Sequence, residues 1–279
     1  INPHNPDNAL GLRVTLPQTS YPTPESRVAF ARAAMEKIQG LPGVVSVATA
    51  NILPARGSNA GRSIRIEGAA PVEASRRPSA DSRTVSTAYF KTMEIPIVAG
   101  RGFDDGDVAG ETVPKVAIVS RSFAERYWPG LDPLGRRFQA GDEPDAPLLT
   151  VVGVSGDVIH QWFPRRHYPT YYQPYPQEPR ANVSFVLRTT TASPESLARD
   201  VRQAVASVDP DQPAFDVWSM RRSLLISTVG IRFVAATMAA LSWLALVLAL
   251  SGVYGVMAYR VSLRTLEIGI RRALGASAR

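Results

Sequence analysis

A chain of 279 residues with 45% hydrophobic content is long enough to bury a core of more than one subdomain. Its net charge of +7 is uneven: residues 233–279 carry five arginines and one glutamate, leaving only +3 for everything before them. No basic stripe interleaves with aromatics, which argues against nucleic acid, and the absence of cysteine excludes disulfides and thiolate metal sites.

The chain opens on Ile1 in a Pro/Asn-rich stretch. Leu12, Val14 and Leu16 alternate as a half-buried strand. Thr23–Pro24–Glu25–Ser26 then starts a helix, with Thr23 as N-cap, Pro24 in the first turn and Glu25 at the positive end of the dipole. Ala31, Ala34, Met35 and Ile38 form its apolar face, Gly40 and Pro42–Gly43 stop it, and Val44 to Thr49 returns as a strand. About 170 residues later the pattern recurs. Val183, Phe185 and Leu187 alternate, Ser193–Pro194–Glu195–Ser196 opens a helix through Val201, Ala204, Val205 and Val208, and Ala214 to Trp218 returns. Two βαβ units predict an α+β fold: a split sandwich made of 1–52 and 183–220, interrupted by an inserted, mostly β subdomain at 53–182.

Within the insertion, strands are expected at Ser63–Glu67, Thr84–Thr87, Lys115–Val119, Arg136–Gln139, Leu149–Val154 and Thr170–Gln173. Short helices are expected at Ala88–Met93 and Arg121–Tyr127, and mobile loops at Ala69–Ser82 and Ala140–Pro147. Residues 221–260 read as a linker and a transmembrane helix, because Phe233 to Tyr259 is 27 positions without a charge. A helix of that length spans about 40 Å, more than a hydrocarbon core of about 30 Å requires. Residues 261–279 read as a basic helix beyond the membrane, suited to an anionic leaflet.

Catalytic signatures are missing. The lysines Lys37, Lys91 and Lys115 sit in no phosphate-binding loop, Gly153–Val154–Ser155–Gly156 is no nucleophile elbow, and Gly100–Arg101–Gly102 lacks the dinucleotide spacing. Asp104, Asp105 and Asp107 read as a solvated turn rather than a cation site, and His160 and His167 as ordinary histidines rather than a zinc pair. Tyr168, Tyr171, Tyr172 and Tyr175 read as edge-strand packing. The chain is therefore expected to be no enzyme, with no cofactor and no metal. In the tail, Leu266, Ile270, Ala273 and Leu274 share one helical face, while Ile268 stands among Arg264, Arg271 and Arg272 as a docking knob.

Glu267–Ile268–Gly269–Ile270–Arg271–Arg272–Ala273–Leu274–Gly275–Ala276, directly after a spanning segment, resembles the coupling segment of MacB/FtsX-type ABC transporter permeases. Tyr89–Phe90–Lys91–Thr92–Met93, Ile95–Pro96, Gly100–Arg101, Tyr127–Trp128–Pro129–Gly130 and Gly156–Asp157–Val158 are similar to their periplasmic core domain. The resemblance implies a porter-like βαβ subdomain and a fragment preceded by another spanning helix, with 1–232 periplasmic and 260–279 cytoplasmic at a bacterial inner membrane. It also implies partners: an ABC ATPase, separate or fused, a second permease copy, a periplasmic adaptor and the lipid bilayer. Arg264, Glu267, Ile268, Gly269, Ile270, Arg271, Arg272, Leu274 and Gly275 would couple to the ATPase, transmitting its motion outward for export or efflux. The alternative is an extracytoplasmic sensor signalling through one helix, which calls for heptads or a linker domain where the Glu267–Ala276 run stands.

Overall fold

The computed structural model describes residues 8–54, 61–70, 73, 77–108, 113–143, 145–158, 168–191, 193–212 and 214–273. Contacts divide the chain into Ile1–Ser227 and Thr228–Arg279. In the first unit, β1 (Ala9–Thr15), β2 (Val44–Ala50), β10 (Asn182–Thr189) and β11 (Phe215–Ser219) form an antiparallel run in the order β11-β1-β10-β2. This is the order two interleaved βαβ units produce when each helix crosses the same face. Helices α1 (Pro24–Gln39) and α4 (Ala198–Ala206) supply those crossovers and lie against each other. The core beneath them follows the strand alternation: Leu10, Leu12 and Val14 meet Val183, Phe185 and Leu187, with Ile38 and Val205 fully buried and Met35 and Val208 partly so. Phe30 joins this core, edge-on to Tyr21 at 5.4 Å, and the Tyr21 hydroxyl donates to Asp209 at 2.6 Å, tying the entrance of α1 to the end of α4.

The two copies differ at their helix starts. Thr23 Oγ1 accepts from the Ser26 amide at 3.2 Å, and α1 runs 16 residues. Ser193 makes no side-chain cap, so the Pro194–Leu197 turn winds as a 3₁₀ helix and α4 keeps only 9 residues. An uncapped first turn satisfies its amides by tightening.

Between β2 and β10 the chain builds a second body from β3 (Gly61–Ile66), β4 (Ser79–Val85), β6 (Val116–Ser120), β7 (Arg137–Ala140), β8 (Leu148–Ser155) and β9 (Thr170–Pro174). Their order β4-β3-β7-β8-β6-β9 closes on itself through a parallel β4–β9 ladder, giving a six-stranded mixed barrel. Every one of the six contributes to a single cluster that includes Ile64, Ala80, Ala117, Val119, Phe138, Leu149, Val151 and Tyr171, so that cluster fills the lumen. Helix α3 (Arg121–Tyr127) adds Phe123 to it; Ser120 Oγ accepts from the Phe123 amide and Asp157 from the Ser122 amide.

Strand β4 lies earlier than the expected Thr84–Thr87 and begins inside the expected Ala69–Ser82 loop. Its Ser-Ala-Asp-Ser-Arg start carries no apolar alternation, because Asp81 and Arg83 are buried as a pair, each side chain 1% exposed at 2.5 Å. Strand β5 (Ile97–Gly100), which pairs antiparallel with β8, was also not expected. The tyrosines are interior rather than at an edge. Tyr171 sits in the lumen, Tyr172 between barrel and sheet, and Tyr175 under the helices, while Tyr168 alone of the four is exposed. Strand β9 has neighbours on both sides, β4 and β6.

Candidate functional site

A third cluster joins the two bodies. The sheet face turned away from α1 and α4 presents Ala9, Ala48, Ala50, Val186 and Trp218, and the barrel exterior presents Val85, Val116, Ile118 and Tyr172. Between them sits the short helix α2 (Tyr89–Thr92), with Tyr89, Phe90, Met93 and Ile95. Small residues on the sheet side leave room for the aromatic side chains. The ordered polar groups here are also architectural. Arg188 of β10 donates through Nε to the Thr92 carbonyl at 2.7 Å and pairs with Glu94 at 3.3 Å, where the chain turns at φ 53°. Arg83 also reaches the Ile52 carbonyl at 3.4 Å. Burial raises the Tyr89 and Tyr172 hydroxyls above their ordinary range, so both stay neutral beside the Asp81–Arg83 pair.

Asp104, Asp105 and Gly106 are exposed, as expected of a solvated turn, but Asp107 is buried, which corrects that expectation at this residue. Arg101 grips its carboxylate with two donors at 2.6 and 2.9 Å, and the Asp104 amide adds a third at 3.0 Å. Those donors, led by Arg101, hold the Asp107 carboxyl below the usual carboxylate range. Asp104 is spent on the Gly106 amide at 2.9 Å. Around Arg101 the backbones nearly touch: a Cβ on Gly100, itself at φ 70°, would lie 2.4 Å from the Val152 carbonyl oxygen, and one on Gly153 2.2 Å from that of Arg101. The Gly100–Arg101 motif is thus explained by close approach. His160 and His167 lie outside the described residues.

Strand β11 runs without a break into α5 (Met220–Ala273), a single helix of 54 residues. The linker expected within 221–260 and the separate helix expected from 261 are both part of it as far as Ala273, and Gly230, Gly252, Gly255 and Gly269 fall inside without interrupting it. Among the described residues one segment, Phe233–Val261, is long and apolar enough to cross a membrane and is wholly unburied. Its serine and threonine hydroxyls are spent internally: Thr237, Ser242 and Ser251 each donate to a carbonyl four residues back, at 3.1, 2.8 and 2.8 Å. Of the expected coupling residues, Arg264, Glu267, Ile268, Gly269, Ile270, Arg271 and Arg272 lie on the last turns of α5. Ile270 is exposed; Leu274 and Gly275 lie outside the described residues. The helix thus places seven of the nine on one element.

Residues 6–208 match the model of the MacB-like periplasmic core domain. The chain belongs to this family. Among relatives, this MacB-like chain is 26% identical over 203 residues to the "Macrolide export ATP-binding/permease protein MacB" of Neisseria gonorrhoeae, covering 69% of this chain and 30% of that protein. It is 27% identical over 204 residues to the "Probable syringafactin export ATP-binding/permease protein SyfD" of Pseudomonas syringae, covering 69% and 29%. The MacB-like chain therefore spans under a third of the length of these curated relatives. Its fold is that of the periplasmic region of MacB from Actinobacillus actinomycetemcomitans, with TM-score 0.52 at 13% identity over 77% of this chain and 90% of that one. A domain of a putative permease from Porphyromonas gingivalis aligns with TM-score 0.50 at 14% identity, covering 78% and 92%.

Sequence reasoning missed the joint between sheet and barrel, including the Asp81–Arg83 pair and Trp218. One signal was present for Trp218: Gly11 stands inside an apolar strand, and an interior strand glycine marks a close approach.

Proposed function

We propose that this chain is the periplasmic domain, spanning helix and coupling segment of an ABC transporter permease, and that it transmits ATP-driven motion rather than catalysing a reaction. The observation that carries this reading is covalent. A MacB-like periplasmic core domain at 6–208 is followed through β11 by an apolar helix at Phe233–Val261. The relatives described as ATP-binding/permease proteins support an ATPase partner, fused or separate. Their different export descriptions favour no substrate. In this reading the four-stranded sheet with α1 and α4 is the porter-like body and 53–182 the inserted one. A second permease copy, a periplasmic adaptor and the bilayer complete the assembly, with 1–232 periplasmic and 260–279 cytoplasmic in a bacterial inner membrane.

Arg264–Ala276 is the handle for the ATPase, with Leu266, Ile270 and Leu274 toward the membrane and Ile268 toward the partner. Burying one isoleucine contributes roughly 1.5–3 kcal/mol. Placing a carboxylate there costs at least as much in desolvation. Ile268→Asp in the full-length protein is expected to weaken ATPase association about tenfold or more while the chain still inserts. Retention of the ATPase in a pull-down of Ile268→Asp would overturn the coupling assignment. Orientation is tested in the cysteine-free background by Ser79→Cys and Ser277→Cys with an impermeant thiol reagent on permeabilised outer membranes. Labelling at 277 alone would reverse it.

A further inference from the structure

Strand β11 is held to β1 by an irregular seam. Leu10 faces Ser219, Gly11 faces Trp218, and Arg13 faces Phe215. One residue, Leu12, therefore lies opposite two, Asp216 and Val217, which makes β11 the bulged strand. Asp216 adopts φ 54°, a left-handed conformation that a side chain enters at a cost. Immediately beyond the bulge the Trp218 indole lies on the Gly11 backbone. A Cβ added there would meet Cε2, Cζ2 and Nε1 at 2.8, 2.9 and 3.0 Å. The indole is 4% exposed and belongs to the joint core with Ala9, Ala50, Val85 and Phe90. Helix α5 starts two residues later.

We infer that the Gly11–Trp218 contact, set by the bulge, is a lock that fastens the start of α5 to the joint between sheet and barrel. This inference rests on the proposed transmission of motion through α5. An edge strand with one neighbour is the element that can slip under load, because its ladder is all that holds it. A bulge fixes register, since sliding by one residue would bring the extra pair opposite the wrong partner. The indole adds a steric stop, because only glycine leaves the slot it fills. Displacement of α5 is then delivered to β1 and to the core shared with the barrel instead of being lost as slip of β11. Trp218 is a positioning residue in this scheme.

The test uses the full-length transporter with an environment-sensitive fluorophore on Ser79→Cys, an exposed position on β4. Its ATP-dependent signal is read beside ATP hydrolysis. Trp218→Ala is expected to cut the signal at least fivefold with hydrolysis within about twofold of the parent, and Gly11→Ala, which displaces the indole, to cut it in the same direction. A disulfide between Leu10→Cys and Ser219→Cys, formed before labelling, bridges cross-strand partners within disulfide reach. It is expected to restore the signal in Trp218→Ala and to lose that rescue on reduction. Should Trp218→Ala fail to insert, Trp218→Phe carries the same comparison. An unchanged signal in the inserted Trp218 variant, or a disulfide that does not restore it, overturns the lock. So does a disulfide that silences the parent, because the seam would then have to open. A parent with no ATP-dependent signal, or an Ile268→Asp protein that keeps the parent's signal, instead overturns transmission through α5 itself.

Discussion

The helix-covered sheet and the barrel reach burial by different routes. In β1 and β10 the residues facing α1 and α4 are large and apolar at every second position, while small or polar ones such as Ala9, Gly11 and Ser184 lie between them. The barrel strands β4, β6 and β9 instead carry substantial side chains on both buried faces, one toward the lumen and one toward the joint or its surroundings. Alternation then vanishes from their sequences. The charged residues among them pair, as Asp81 does with Arg83. A core read by periodicity is aliphatic and tolerant of small changes; a core built by closure depends on particular polar pairs.

The sharpest way to break this contrast is the buried pair. Arg83→Ala is expected to destabilise the protein by about 3–5 kcal/mol in chemical denaturation, because it leaves the Asp81 carboxylate buried without its charge partner. Replacing Asp81 and Arg83 together with leucine and methionine should cost far less. Equal losses would show that the pair is not a unit. In the sheet, Ile38→Ala should cost about 3 kcal/mol through cavity formation, with no pH dependence. Arg101–Asp107 comes next, at about 1.5–3 kcal/mol for hydrogen bonds to a charged group. Because the folded Asp107 carboxyl titrates below its unfolded value, this contribution is present at neutral pH and lost as pH falls through the lowered value. Asp107→Asn should therefore be less stable at pH 7 and show a shallower acid limb below the ordinary carboxylate range; an unchanged limb would remove Asp107 from the acid response. The smallest effects separate the two copies of the βαβ unit. Thr23→Ala should cost about 1 kcal/mol and Ser193→Ala within about 0.5, since only Thr23 caps its helix.

Much of the molecule was legible in the chain. The periodicities of Leu12–Leu16 and Val183–Leu187, with a helix-start signal after each, specified the two crossover units. The uncharged stretch at 233–259 specified a long apolar helix. These are local signals: side-chain spacing along one element says which face is buried, whatever covers it. Strand β4 was misplaced because a strand buried on both faces carries no period and Asp81 reads as a loop residue until Arg83 closes on it, and β5 went unseen because it is four residues long and mostly exposed. The nine coupling residues were found by resemblance, and side-chain spacing placed only the apolar stripe and Ile268 among them.

Closure of the barrel, the parallel β4–β9 ladder and the joint core were decided only in three dimensions. Each brings together residues far apart in sequence, and none leaves a trace in the spacing of neighbours. Trp218 leaves only one hint, the glycine at position 11. The sequence shows a glycine in one strand and a tryptophan in another, some 200 residues away; only the register of β1 against β11 puts the indole on the glycine. Local spacing determines which elements form and which faces they bury, while contact between distant elements decides what those faces meet.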